Sequence, residues 1–283
     1  MKQRYLLASL LAVTLSGSAL AQNEAKFALP SNGSPGPHSA VEGGAIIDED
    51  FADITTLPGA GWSLQNLSNP LGTTEWFQGN DATFPSQAGA PTAYIGANFN
   101  NTTGGAGLIS NWLLTPEVNF GTGAELRFWT RVPTGGSQFP DRLEVRVSAA
   151  GASTDVGADN TTVGDFTTTL TVINPNLDTT AGVCPPGTGG YPEDWCEIVI
   201  TNAEGLPTTG TGRVGFRYFV DEAGPTGNNS NFIGIDTVSF VEGTQGPTLP
   251  PPSEIPTLGQ YGMIAMFLAL LAGAGLTLRR RQS

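Results

Sequence analysis

Apolar and polar residues alternate with a period of two along much of the middle of this chain. In Glu125–Val132 the residues Leu126, Phe128 and Val132 share one side, in Arg142–Val147 Leu143, Val145 and Val147 do, and in Arg213–Val220 Val214, Phe216, Tyr218 and Val220 do. Strands with one face in a core carry this pattern, because successive side chains point to opposite sides of the pleat. Shorter apolar runs between turn signals predict further strands at Ala45–Phe51, Gly61–Leu67, Thr74–Gln78, Thr92–Ala97, Leu108–Leu114, Phe166–Ile173, Cys196–Thr201 and Phe232–Val241. About eleven strands of this length need two stacked sheets to cover their apolar faces. The expected architecture is an all-β domain over residues 45–242, a two-sheet antiparallel jelly-roll sandwich, after a flexible leader over 22–44. No internal repeat is evident.

Composition supports the strand reading and removes several chemistries. The chain holds 38 Gly and 21 Pro, and only 13% of its residues are charged, the opposite of what helices need. Its one histidine, His38, lies in a Ser/Gly/Pro stretch. A Ser-His-Asp triad, a Cys-His dyad and a histidine-built zinc site are therefore not expected. Against 25 Asp and Glu stand 12 Lys and Arg, and five of those bases (Lys2, Arg4, Arg279, Arg280 and Arg281) belong to the end segments. An interior this acidic repels a phosphate backbone, which argues against nucleic acid as a partner.

The two ends read as addresses. Residues 1–21 have the order of a secretory signal: basic Lys2 and Arg4, an apolar stretch from Tyr5 to Leu15, and Ala19-Leu20-Ala21 ahead of Gln22. Export to an oxidising compartment makes Cys184 and Cys196, the only cysteines, a predicted disulfide. At the other end a Pro-rich spacer over 243–254 leads to an apolar run from Met263 to Leu278 and then to Arg279-Arg280-Arg281. A helix of that length spans roughly 24 Å, short of the hydrocarbon core of about 30 Å, and is expected to act as a marginal anchor. The arginines set the tail inside and the domain outside.

Ile255-Pro256-Thr257-Leu258-Gly259-Gln260-Tyr261-Gly262, followed by an apolar helix over 263–278 and the basic tail over 279–283, resembles the IPTLxxWG C-terminal sorting signal, with Tyr261 where that family has Trp. The resemblance implies processing by an exosortase-type membrane enzyme, a transient stay in the inner membrane, and delivery to the cell surface or the extracellular space. The interior resembles a second family. Glu49-Asp50-Phe51, Leu57-Pro58, Gly61-Trp62, Trp76-Phe77-Gln78-Gly79-Asn80, Ile109 through Pro116, and Phe232-Ile233-Gly234-Ile235-Asp236 are similar, in that order, to choice-of-anchor J domains, relatives of the cleaved-adhesin and MAM-like jelly rolls. That resemblance implies an extracytoplasmic jelly roll on a surface or secreted protein and supplies no activity. It also implies a structural calcium ion, with Glu49 and Asp236 as ligands and Asp50 or Asp48 as a third.

A second candidate site follows from the residues alone. Apart from Lys26 in the leader, every base of the interior lies in one of three pairs: Arg127/Arg131, Arg142/Arg146 and Arg213/Arg217. Each pair is four apart, so both members leave the same side of their strand, opposite the apolar set. If the three strands share a sheet, six arginines share a face, with Trp129 among them and a gap at Gly215. Such a platform suits an anionic glycan or a partner's carboxylates; alternatively, Glu125, Glu144 and Glu197 neutralise it across strands. Trp62, Trp76, Trp112 and Trp195 are expected mainly in the core. Glu75, Glu193 and Asp194 carry no glycosidase motif, and the Asp155–Asp159 loop lacks EF-hand spacing. The sequence thus points to a non-catalytic surface or matrix protein of adhesin type that contacts extracellular polysaccharide or other surface proteins, with a lectin-like glycan-binding module as the alternative and a carbohydrate-active enzyme as a distant third.

Overall fold

A computed structural model describes residues 46–185 and 188–244, and a helical stretch covering 263–264 and 266–270. The signal over 1–21, the leader, the sorting motif from Ile255 to Gly262 and Arg279 to Arg281 lie outside the described residues. No helix among the described residues is long and apolar enough to cross a membrane.

Among the described residues, twelve strands form two antiparallel sheets of six. In the first, the order is β10 (Cys196–Thr201), β7 (Glu125–Arg131), β12 (Phe232–Val241), β4 (Ile95–Asn98) and β3 (Phe77–Gln78), with β1 (Ile47–Glu49) beside the far half of β12. In the second it is β2 (Ser63–Asn66), β5 (Gly107–Leu114), β11 (Thr211–Ala223), β8 (Leu143–Ser148) and β9 (Thr168–Ile173), with β6 (Val118–Asn119) at one end of β11. This is a two-sheet, jelly-roll-like sandwich, as the alternation predicts. Several strands are shorter than expected, β11 is longer, and β6 is an addition too short to leave a periodic signal.

The alternating residues face each other between the sheets. Leu126 and Phe128 of β7, Val145 of β8, Val214 and Phe216 of β11, and Ile235 and Phe240 of β12 are buried in one cluster, and the rings of Phe128 and Phe216 meet edge-on at 5.0 Å across the layers. Each such side chain contributes about 2 kcal/mol by leaving water. Trp62 and Trp76 are buried in this core, as expected, whereas Trp112 is buried in a separate cluster on the outer side of the second sheet. Cys184 and Cys196 form a disulfide that ties the start of β10 to the loop before it.

Candidate functional site

The three arginine-bearing strands do not share a sheet. β7 belongs to the first, and β8 and β11 to the second, so Arg127 and Arg131 stand on one outer face while Arg142, Arg146, Arg213 and Arg217 stand on the opposite one. A single platform of six is corrected to two separate faces. Periodicity places a side chain above or below its own strand; it does not say which strands become neighbours.

On the second sheet, three of the arginines hold down the segment 150–166 by its carbonyls. Arg213 donates to Ala152 O, Arg217 to Asn160 O and Arg146 to Phe166 O at 3.2, 2.7 and 3.1 Å. Beneath that segment Trp112, Leu114, Val156 and Phe166 make a second apolar cluster. The gap expected at Gly215 is filled by Phe166: a Cβ there would lie 3.1 Å from its ring. Glu144 accepts from both Arg146 and Arg217, at 2.8 and 3.2 Å. Arg217 lies over Phe219 at 3.8 Å and Trp112 at 5.0 Å, and burial pushes its guanidinium down to about 10, opposed by Glu144. Arg142 pairs with Asp221 at 3.0 Å.

On the first sheet, the segment 79–94 is the cover, and Phe84, Tyr94 and Phe232 form its cluster with Phe77 and Trp195 packed against them. Trp195 donates its indole N–H to Pro85 O at 2.9 Å. Arg131 is fully buried under this cover, 4.7 Å from the Phe84 ring centre, and donates to the carbonyls of Glu193 and Val132. The carboxylate nearest to it in the ion pairs, that of Asp194, is 3.9 Å away and largely exposed. Glu193 itself accepts from the Ser137 hydroxyl at 2.7 Å.

Asp236 anchors the same cover. Its carboxylate accepts from the Gln87 and Ala88 amides at 2.6 and 3.3 Å and from the Thr237 hydroxyl at 3.2 Å. Burial nevertheless pushes its carboxyl up to about 7, because the hydrogen bonds offset only part of the lost hydration. Glu49 pairs in register with the core residue Val238 and accepts from Phe51 N at 2.8 Å, whereas Asp236 pairs with Trp129 on the outer face. Asp50 accepts from Ala52 N at 3.0 Å, and Asp48 is exposed opposite Ser239. These acids do not fit the implied calcium ion as one ligand set: they leave the sheet on different sides, and Asp236 is committed to amides. Among the described residues no group of three His, Cys, Asp or Glu side chains could hold a metal ion.

Past Asp236 the outer side of β7 and β10 is partly exposed. There Trp129 is partly exposed, in register between Glu197 of β10 and Asp236 of β12. One step along, Arg127 is bracketed by Glu125 at 2.5 Å and Glu197 at 3.4 Å, which holds its guanidinium above its ordinary range. Sequence reasoning names these residues and also their alternative, neutralisation by Glu125 and Glu197. It misses both covering segments, whose only signal is a large aromatic, Phe84 or Phe166, amid Gly-, Pro- and Thr-rich chain.

No known family matches the chain, and no curated protein does. Among solved structures it is similar to the K3 cleaved adhesin domain of Lys-gingipain from Porphyromonas gingivalis, at 20% identity over 71% of this chain and 100% of that one, with a TM-score of 0.44. The K1 domain of the same protein shares 20% identity over 70% of this chain and 98% of its own, at 0.43. The family 11 carbohydrate-binding module from Clostridium thermocellum, in complex with a β-1,3-1,4-mixed-linked tetrasaccharide, shares 10% over 70% and 95%, at 0.32.

Proposed function

We propose that this chain is a non-catalytic, exported protein of the cell surface or extracellular matrix, whose jelly roll serves as an adhesive module. The Cys184–Cys196 disulfide carries the reading, since such staples belong to oxidising compartments outside the cytosol. The way the domain uses its charges agrees with it. Arg146, Arg213 and Arg217 are engaged in fastening a cover to the fold, and Arg131 is buried beneath the other. In the same reading residues 1–21 direct export, and an exosortase-type enzyme processes the chain near Thr257, releasing the apolar segment and Arg279 to Ser283.

Intact mass spectrometry of the protein recovered from the surface and medium of its native organism tests this. The expected mass lacks residues 1–21 and everything after about Thr257. A mass that retains Arg279 to Ser283 would replace sorting by plain anchoring, and a protein confined to the cytosol with free thiols would end the surface reading.

A further inference from the structure

Four of the five tryptophans are used by the fold: Trp62, Trp76 and Trp112 are buried, and Trp195 packs on Phe84 and Tyr94. Trp129 is not. Its indole makes no hydrogen bond or ring contact among the described residues, although it stands in the middle of β7 with a neighbouring strand on each side. On one side is Asp236, whose carboxylate accepts from the Gln87 and Ala88 amides. On the other, β10 is the last strand of its sheet, and Val199 is 38% exposed at the rim. Along the strand lie Glu125 and Arg127 and across from Trp129 lies Glu197 of β10; Arg127 is paired with both carboxylates, and the three side chains are 24–29% exposed.

We infer that this open face binds an uncharged pyranose polymer, with one sugar ring stacked on Trp129 and its hydroxyls bonded to Glu197 and Arg127. The inference rests on the surface reading above and assigns a ligand class to it. A flat indole presents the apolar face that a sugar's C–H surface covers, and the adjacent carboxylates and guanidinium supply acceptors and donors at its edge. Because the ion pairs hold these groups in place, little side-chain entropy is lost on binding. Charge selects the occupant. Two carboxylates outnumber the one guanidinium, and the chain as a whole has 25 acids to 12 bases, so a polyanion is repelled. The anionic glycan expected of a six-arginine platform is thereby replaced by a neutral one.

The test is binding of the purified protein to β-glucan, galactomannan and dextran as uncharged probes and to alginate and heparin as polyanions, followed by calorimetry and tryptophan fluorescence. At least one uncharged polymer is expected to bind, with an affinity unmoved by 0.5 M salt, weakened at least tenfold by Trp129→Ala and largely kept by Trp129→Phe. Should Trp129→Ala fail to fold, Glu197→Gln leaves the indole in place and is expected to weaken binding several-fold. Binding of none of the probes, of the polyanions alone, or equally by Trp129→Ala or Glu197→Gln would overturn the inference. Attachment assays separate the two levels: cells displaying Trp129→Ala that attach like wild type although glycan binding is lost keep the surface role and remove the glycan from it, whereas absence of the wild-type protein from the surface removes the role.

Discussion

On the second sheet, cations reach up from β8 and β11 to take the carbonyls of a covering segment; on the first, a buried anion on β12 takes the amides of another. Both faces use one plan otherwise, with a strand glycine beneath a phenylalanine and a buried arginine beside a tryptophan: Gly215, Phe166, Arg217 and Trp112 on one, Gly234, Phe84, Arg131 and Trp195 on the other. The difference lies in charge balance. Glu144 sits between two arginines, while Asp236 has only dipoles, and burial disfavours its ionised form. A covered sheet face can thus be built from either sign, and the side whose buried carboxyl, that of Asp236, meets only dipoles carries a pH dependence.

The largest expected effect breaks the balanced side. Glu144→Gln leaves Arg217 buried without its carboxylate and is expected to cost about 3–5 kcal/mol in denaturant unfolding. Next, Asp236 predicts a pH slope. Its folded carboxyl titrates at about 7 and the unfolded one near its ordinary value, so below about pH 4 both are protonated, and as pH rises to 7 the unfolded chain ionises first. Stability therefore falls across that window by a total on the order of 4 kcal/mol, at about 1.4 kcal/mol per pKa unit. Asp236→Asn is expected to flatten the slope, measured as melting temperature against pH. Since amides hold Asp236, a chelator is expected to leave the wild-type curve unmoved; a drop abolished by Glu49→Gln would restore the calcium ion.

The disulfide sharpens the comparison at the sheet edge, for it secures β10, on the side where Trp129 is open. Replacing Cys184 and Cys196 by Ser opens a loop with a sequence separation of 12 and is expected to cost about 3 kcal/mol. Smaller still are the glycines under the two phenylalanines. A Cβ on Gly234 would lie 2.8 Å from Phe84, and one on Gly215 would lie 3.0 Å from Leu114. Ala at either is expected to cost about 1–3 kcal/mol, with Gly234→Ala the worse. Asp194→Asn, at the exposed end of the Arg131 pair, is expected to change nothing measurable, the reverse of Glu144→Gln.

Much of this was legible in the chain. Leu126 and Phe128, Val145 and Val147, and Val214 and Phe216 declare their inward side by alternation alone, and the two cysteines declare their bond once export is read from residues 1–21. The same alternation puts every interior arginine pair outward, as the structure does. Legibility ends at the question of which strands become neighbours. Whether β7 lies beside β8 or in the opposite sheet is decided by pairings such as Asp236 with Trp129 and Arg217 with Glu144, between residues far apart in sequence, and no local pattern encodes them. The covers escape for a related reason: Phe84 and Phe166 sit in irregular chain, and their burial depends on glycines on distant strands. The sequence by itself therefore determined the all-β class, the inward and outward side of each strand and the staple, all of which follow from period and composition. Only the tertiary structure decided that the arginines divide between two faces and that Trp129 is left open, because both depend on long-range register and on which loop closes over which sheet.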